Sequence, residues 1–200
     1  MHFYAMDNQA LIILLATFVI AVIVAQNNGF KRGHQSRVQE NTMKLTSMIF
    51  ENGGKLPIKY SCDHDNISPD LAWEEVPIGT KSFAIIADDP DAPAGVFTHW
   101  IIYNIPPEIR SLPERMPDSA KLESGALQGR NDFRKIGYGG PCPPTGHGPH
   151  HYHFKLYALN RMLDLEAGVS REQLEETMKG HMLGWTQIIA LYERGAKAAG

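Results

Sequence analysis

An excess of positive charge is absent from this chain: 19 Lys and Arg stand against 22 Asp and Glu, a net charge of −3. Residues 1–42 carry Lys31, Arg32 and Arg37 against Asp7 and Glu40, so the remainder holds 16 basic and 20 acidic residues, net −4. That balance excludes the electrostatic footprint of a nucleic-acid binder, and any bound anion must be held by local donors in a pocket. Cysteine is scarce. Cys62 and Cys142 are the two present, with no Cys-x-x-Cys spacing, which removes a structural zinc site or a thioredoxin-like redox motif. Both lie in Pro, Gly and Asp-rich loops; they pair if the domain is exported and stay reduced in the cytosol, and the sequence leaves both states open. Gly-x-Ser-x-Gly and phosphate-loop patterns are missing, as are internal repeats and low-complexity tracts. Asp63-x-Asp65-Asn66 echoes a calcium loop, but Ile67 and Ser68 occupy the places that need an oxygen ligand and a Gly.

A full-length apolar span is also wanting. Residues 10–25 are sixteen residues with Thr17 as their one polar side chain, slightly short for a membrane span and slightly long for a signal-peptide core. Residues 1–9 hold no Lys or Arg, and the basic cluster Lys31, Arg32 and Arg37 follows the run. The positive-inside tendency then predicts a single amino-terminal pass with the globular part in the cytoplasm. A cleaved signal ending near Ala25 with export, and a buried core helix, are the competing readings. Residues 26–42 are polar without apolar periodicity and read as a linker. Met43 opens the first strand-like run; translation starting there would make the protein a plain cytoplasmic domain. The expected organisation is thus an anchor or signal segment at 1–25, a linker at 26–42, one domain at 43–195 and a tail at 196–200. A domain of roughly 150 residues is large enough to bury a sizeable core.

After residue 43 the pattern is mainly strands separated by turn chemistry. Stretches 45–50, 71–75, 82–88, 98–105, 152–159 and 185–192 are rich in Ile, Tyr, Phe, Trp and Thr and bounded by Pro, Gly, Asn and Asp, as strands are. The runs 82–87 and 100–103 are almost continuously apolar, as in strands covered on both faces. One segment reads as a helix: Ser170-Arg171-Glu172-Gln173 has capping-box spacing, with Val169 and Leu174 placed for a hydrophobic staple. Residues 106–127, with four prolines, read as loop. The fold class is mostly β.

Two loops concentrate the chemistry. Asp88-Asp89-Pro90-Asp91-Ala92-Pro93 follows a strand, and His99-Trp100 comes soon after. Two prolines fix φ and hold the carboxylates without packing; Ala92-Pro93 is the candidate for a cis bond. Asp88 reads as part of a solvated acidic turn, whereas Asp89 and Asp91 read as pocket residues. An Asp accepting from one ring nitrogen of His99 would fix its tautomer and leave the other nitrogen for a ligand. The second loop, 137–152, carries five Gly, four Pro, His147, His150 and His151 before Tyr152. Its glycines allow backbone amides to approach a ligand closely. The histidines at 147, 150, 151 and 153 invite a metal reading, but strand alternation puts His151 and His153 on one face and Tyr152 on the other. His147 and His153 are expected to be exposed, while His150 can join Tyr152.

These residues resemble the phosphatidylethanolamine-binding protein family, in the bacterial and archaeal branch often called Raf kinase inhibitor-like proteins. The similarity runs from about Met43 to about Glu193. It rests on Asp-Pro-Asp-Ala-Pro at 89–93 with His99-Trp100, on Gly-Gly-Pro-x-Pro-Pro at 139–144 with His150-x-Tyr152, and on Asp65-Asn66-Ile67-Ser68-Pro69 with Leu71-Ala72-Trp73. The resemblance implies an antiparallel β-sandwich with one or two short helices, preceded here by the apolar helix at the amino terminus. It further implies a pocket for phosphate-like anions or phospholipid head groups, walled by Asp89, Asp91, His99, Pro141, His150 and Tyr152. His64 stands where this branch commonly has Gly, and His151 where Arg is more usual. The expectation is a non-enzymatic binding or regulatory protein with no cofactor, catalytic residue or metal. Its partners would be a small anion or head group, a membrane through the amino-terminal segment, and a kinase or protease. Two rivals remain: an inhibitor acting on a kinase or serine protease by protein–protein contact, and a metal- or acid/base-dependent hydrolase built on Asp89, Asp91, His99 and the histidine cluster.

Overall fold

The computed structural model describes residues 42–195. The apolar helix and anchor expected at 1–25, the linker but for Thr42, and the tail at 196–200 lie outside the described residues.

The longest apolar runs build the centre. β4 (Ser82–Asp89) is buried along its whole length, with Phe83, Ile85 and Ala87 in one core and Ala84 and Ile86 in another. A strand covered on both faces needs no polar alternation, which is why 82–87 reads as a continuous apolar run. β5 (Phe97–Ile105) and β8 (His150–Leu159) flank it as antiparallel neighbours. β9 (Met182–Tyr192) pairs antiparallel with β8. The short β2 (Gly54–Lys55) and β7 (Leu127–Gln128) finish the edges, giving a six-stranded order β2-β9-β8-β4-β5-β7. The β2–β9 pairing is parallel, a departure from the expected all-antiparallel arrangement.

A second sheet contains β1 (Lys44–Thr46), β3 (Leu71–Glu74) and β6 (Ser111–Leu112) in the order β1-β3-β6. Leu45, Leu71 and Trp73 from it pack with Phe83, Ile85, Trp100, Ile102, Phe154 and Leu156 from the large sheet. On the opposite face of the large sheet, Leu163, Leu174 and Met178 cover Ala84, Ile86, Ile101 and Tyr103. Leu174 and Met178 come from helix α1 (Arg171–Met178). Ser170 caps it as its spacing predicts: its hydroxyl accepts from the Gln173 amide, and the Gln173 side chain accepts from the Ser170 amide at 2.8 Å. Val169 packs into the cluster that holds Leu174.

The strands predicted from sequence are present with shifted ends. β1 stops at Thr46 rather than 50 because the Asp70 carboxylate takes the Ser47 hydroxyl at 2.9 Å and the Met48 amide at 3.0 Å, and such bonds compete with the ladder. The two-residue β2, β6 and β7 and the 3-10 turn Ile58–Tyr60 are too short to show periodicity. Two of these strands reach into the 106–127 segment that reads as loop.

Candidate functional site

The carboxyl end of β4 and the start of β8 lie side by side, and each delivers one polar side chain to the same place. Asp89 ends β4 and His150 begins β8; His150 Nδ1 donates to Asp89 Oδ2 at 2.7 Å, with each side chain 4% exposed. The other Asp89 oxygen accepts from the Asp91 amide at 2.9 Å, the Asx turn typical of an Asp two residues upstream. Both oxygens of Asp89 are therefore engaged, and the turn after β4 is held by the side chain of its own strand's last residue.

His99 reaches this place through a break in the ladder. Ala87 pairs with Trp100 and Asp88 with Thr98, so His99 has no partner on β4. A bulge of this kind re-aims a side chain, and here it turns the His99 ring to within 5.1 Å of the Tyr152 ring, edge on. The expected Asp partner for His99 is replaced by a backbone carbonyl. His99 Nδ1 donates to Gly139 O at 2.6 Å and the Gly139 amide donates back to His99 O at 2.9 Å. That leaves Nε2 as the ring's unprotonated acceptor. Burial pushes the His99 pKa below its ordinary 6.5, against the opposing pull of the Gly139 carbonyl and the Asp89 charge, so the ring is neutral at neutral pH.

Tyr152 lies beneath both histidines, its ring 6.5 Å from that of His150 and nearly parallel to it. It is 2% exposed, and its hydroxyl faces the Asp89 carboxylate without completing a hydrogen bond of ordinary geometry among the described residues. Burial first, and then the nearby Asp89 charge, push its pKa far above the usual 10, so it remains a neutral phenol facing that carboxylate.

Above these groups is a hollow of about 200 Å³, room for a few waters at about 30 Å³ each or one small head group. Asp89, His99 and His150 supply its polar lining, and Pro93, Phe97, Phe133 and Pro143 are among its apolar walls. Phe133 sits 4.8 Å from Phe97 and 5.5 Å from His99, ring to ring. Its turn is tied to β5 by Thr98, whose amide donates to Asp132 Oδ2 at 2.6 Å and whose carbonyl accepts from the Asp132 amide at 2.9 Å.

The 137–149 loop is clamped from below. The Gly140 amide donates to Asn66 Oδ1 at 2.7 Å, the Cys62 amide donates to Pro141 O at 3.0 Å, and Cys62 and Cys142 form a disulfide. A Cβ at Gly140 would stand 2.2 Å from the Tyr60 carbonyl oxygen. Only glycine lets these segments approach so closely. The peptide bonds of the described residues are all trans, Ala92-Pro93 included, contrary to the expectation for that bond.

Three of the six expected wall residues, Asp89, His99 and His150, line the hollow; Tyr152 does not, but its ring packs 5.1 Å from that of His99. Asp91 and Pro141 do not line the hollow either. Asp91 Oδ2 accepts from the amide and Nδ1 of His151, at 2.8 and 2.7 Å, and the pair is 43% and 52% exposed. The His151 hydrogen bond holds the Asp91 pKa below its ordinary value. Pro141 acts through its carbonyl in the loop clamp. Asp88 overturns the solvated-turn reading: it is 1% exposed, faces α1, and its Oδ2 meets Lys155 Nζ at 2.7 Å and Arg171 at 3.3 Å. Strand alternation carries Asp88 and Asp89 to opposite faces of the sheet. His147 is exposed, as expected, and His153 is half-buried with its Nδ1 3.2 Å from Gln187 Oε1. Among the described residues no group of three His, Cys, Asp or Glu is placed to hold a metal. Sequence reasoning passed over Phe97 and Phe133, and quoted Asn66 for the resemblance without giving it a role in the loop. The signal for Phe133 is an aromatic inside the turn-forming Asn131-Asp132-Phe133-Arg134.

A family model described as phosphatidylethanolamine-binding protein matches residues 46–193. The chain belongs to the phosphatidylethanolamine-binding protein family. The UPF0098 protein of Methanothermobacter thermautotrophicus is 51% identical over 153 residues, which is 76% of this chain and 100% of that relative. Two crystal structures of family members are similar. One is YbcL of Escherichia coli, with a TM-score of 0.71 and 37% identity, covering 76% of this chain and 98% of that one. The other is the homologue CT736 of Chlamydia trachomatis, with a TM-score of 0.69 and 41% identity, covering 77% of this chain and 99% of that one. Membership accounts for the mostly-β sandwich with, among the described residues, one short α-helix.

Proposed function

We propose that this family member is a non-enzymatic binding or regulatory protein whose hollow takes a phosphate-like anion or a phospholipid head group. The observation that carries this reading is the convergence of Asp89, His99 and His150 as the polar groups of one hollow, with the buried Tyr152 hydroxyl packed behind them.

The donor set also selects the guest. Neutral His99 presents an acceptor at Nε2, Asp89 is an acceptor, and the Tyr152 hydroxyl behind them is a donor. Among the described residues no Lys or Arg lines this hollow. A singly charged phosphate, which carries acceptor oxygens together with one O–H in a monoester or two in inorganic phosphate, suits such a mixture better than a fully ionised one. A zwitterionic head group adds an ammonium for Asp89. Chemistry on the guest has less support. Neither imidazole is hydrogen-bonded to a Ser, Thr or Cys side chain, and Cys142 at the wall is held in its disulfide.

Titration of the full chain with inorganic phosphate and with phosphoethanolamine tests the proposal, read by NMR of the imidazole and tyrosine resonances. The expected result is saturable shifts at His99, His150 and Tyr152 that weaken at least tenfold in His99→Ala and in Asp89→Asn. Unmoved resonances with millimolar ligand would refute it.

A further inference from the structure

The turn that carries Phe133 is also the most basic exposed segment around the hollow. Arg130, Arg134 and Lys135 are all exposed, and among the described residues none of their side chains makes a hydrogen bond or ion pair. This stands out in a domain of net negative charge. The neighbouring acid, Asp132, is engaged by the Thr98 amide. At the tip of the turn Phe133 is 37% exposed, and Val96, next to its ring partner Phe97, is 49% exposed. Lys135 and Phe133 together line a second hollow of about 270 Å³ on the far side of the ring, beside Cys62 and Gly140.

We infer that Arg130, Phe133, Arg134 and Lys135, with Val96, form a docking surface for an anionic lipid bilayer. An exposed aromatic and an aliphatic side chain flanked by free cations suit the bilayer interface. The apolar groups enter among the head groups while the guanidinium and ammonium groups meet lipid phosphates. Charge complementarity selects this occupant, since three unpaired cations gather at one turn of an acidic protein. Continuity with the head-group hollow supports it too: Phe133 is at once a wall of that hollow and the tip of the turn. Docking there brings the mouth of the hollow to the lipid surface. In that respect the inference deepens the head-group reading and rests on it. The turn is braced for the task, because Asn131 is 2% exposed and ties the Gly137 carbonyl and the Lys135 amide at 3.0 and 3.1 Å.

The test uses the full chain with phosphatidylcholine vesicles, with and without phosphatidylglycerol, at low salt. Each cation near an anionic surface strengthens binding about fivefold, so Arg130→Gln, Arg134→Gln and Lys135→Gln combined should lower partitioning onto phosphatidylglycerol vesicles by about 100-fold. Binding to pure phosphatidylcholine, including any made by the apolar segment at 10–25, should not change. In a Val96→Trp variant, the added indole emission should shift to the blue with anionic vesicles only. Equal partitioning of the triple variant and the parent, or an unshifted emission, overturns the inference. Loss of partitioning to an acidic protein but not to vesicles overturns it as well. Phosphate titration of the triple variant separates the two proposals: His99 and His150 should still respond there, and their silence in the parent would sink the head-group reading while leaving the vesicle result to stand or fall separately.

Discussion

A single methyl group at position 140 should unseat the loop that roofs the site. The Cβ of Gly140→Ala would lie 2.2 Å from the Tyr60 carbonyl oxygen, 2.7 Å from Asn66 Oδ1 and 2.9 Å from Ser61 Cα. None of these can step aside cheaply. The Tyr60 carbonyl accepts from the buried Tyr138 hydroxyl at 2.9 Å, and the neighbouring Cys62 is held by its disulfide and by Pro141. Relief requires breaking the Gly140–Asn66 hydrogen bond, worth about 1 kcal/mol, and shifting packed backbone, worth about 1–3 kcal/mol. We expect a loss of about 3 kcal/mol, which for a domain of this size lowers Tm by about 6–12 °C. Gly139→Ala is the internal comparison. Its Cβ would meet the Phe133 ring at 2.5 Å, and that ring is partly exposed and free to swing outward. Its stability loss should be about 1 kcal/mol, but it should weaken phosphate binding by moving a wall of the hollow. Calorimetric melting of the oxidised proteins, with phosphate titration of each, decides the matter. A Gly140→Ala protein melting within about 2 °C of the parent, or a Gly139→Ala protein hurt as badly, would refute the reasoning.

Three further outcomes are expected. Asp88→Ala leaves Lys155 and Arg171 without their shared carboxylate; both side chains are about a fifth exposed, so we expect a loss of about 2–3 kcal/mol, below the full penalty for a broken buried pair, read as a lower urea midpoint. Because burial depresses the His99 pKa below 6.5, the unfolded chain binds a proton in that window which the folded chain does not. The corresponding stability is complete above pH 6.5 and is lost as pH falls below it, so the urea midpoint of the parent should fall more between about pH 7.5 and 5 than that of His99→Gln. The disulfide closes a loop of 80 residues, for which chain entropy predicts about 4.5 kcal/mol; reductant should lower the urea midpoint accordingly and weaken phosphate binding, since Cys142 lines the hollow.

Much of the scaffold could be read along the chain, because its causes are local. The run Phe83-Ala84-Ile85-Ile86-Ala87 announces a strand buried on both faces, and the Ser170–Gln173 spacing announces its capping box, since each depends on residues only a few positions apart. Short edge strands such as Gly54–Lys55 carry no such pattern and exist because β9 offers an edge to pair with. The site divides the same way. Asp89, His99 and His150 stood out by type and by the Pro and Gly around them. Asp91 carried the same signals, yet it lies in the turn after β4 and pairs there with the exposed His151.

The sequence by itself determined a mostly-β chain and its helix cap, because alternation, capping and turn chemistry act over a few neighbouring positions, while the sandwich and its site residues followed from the family resemblance. Only the tertiary structure decided which of those residues touch. The bulge that frees His99 from the ladder, the pairing of Asp89 with His150 rather than His99, the burial of Asp88 beside Lys155 and Arg171, and the joining of Cys62 to Cys142 all depend on how distant strands and loops meet. A shift of one residue in register exchanges the two faces of a strand, and contacts made across such long separations leave no trace in the local pattern.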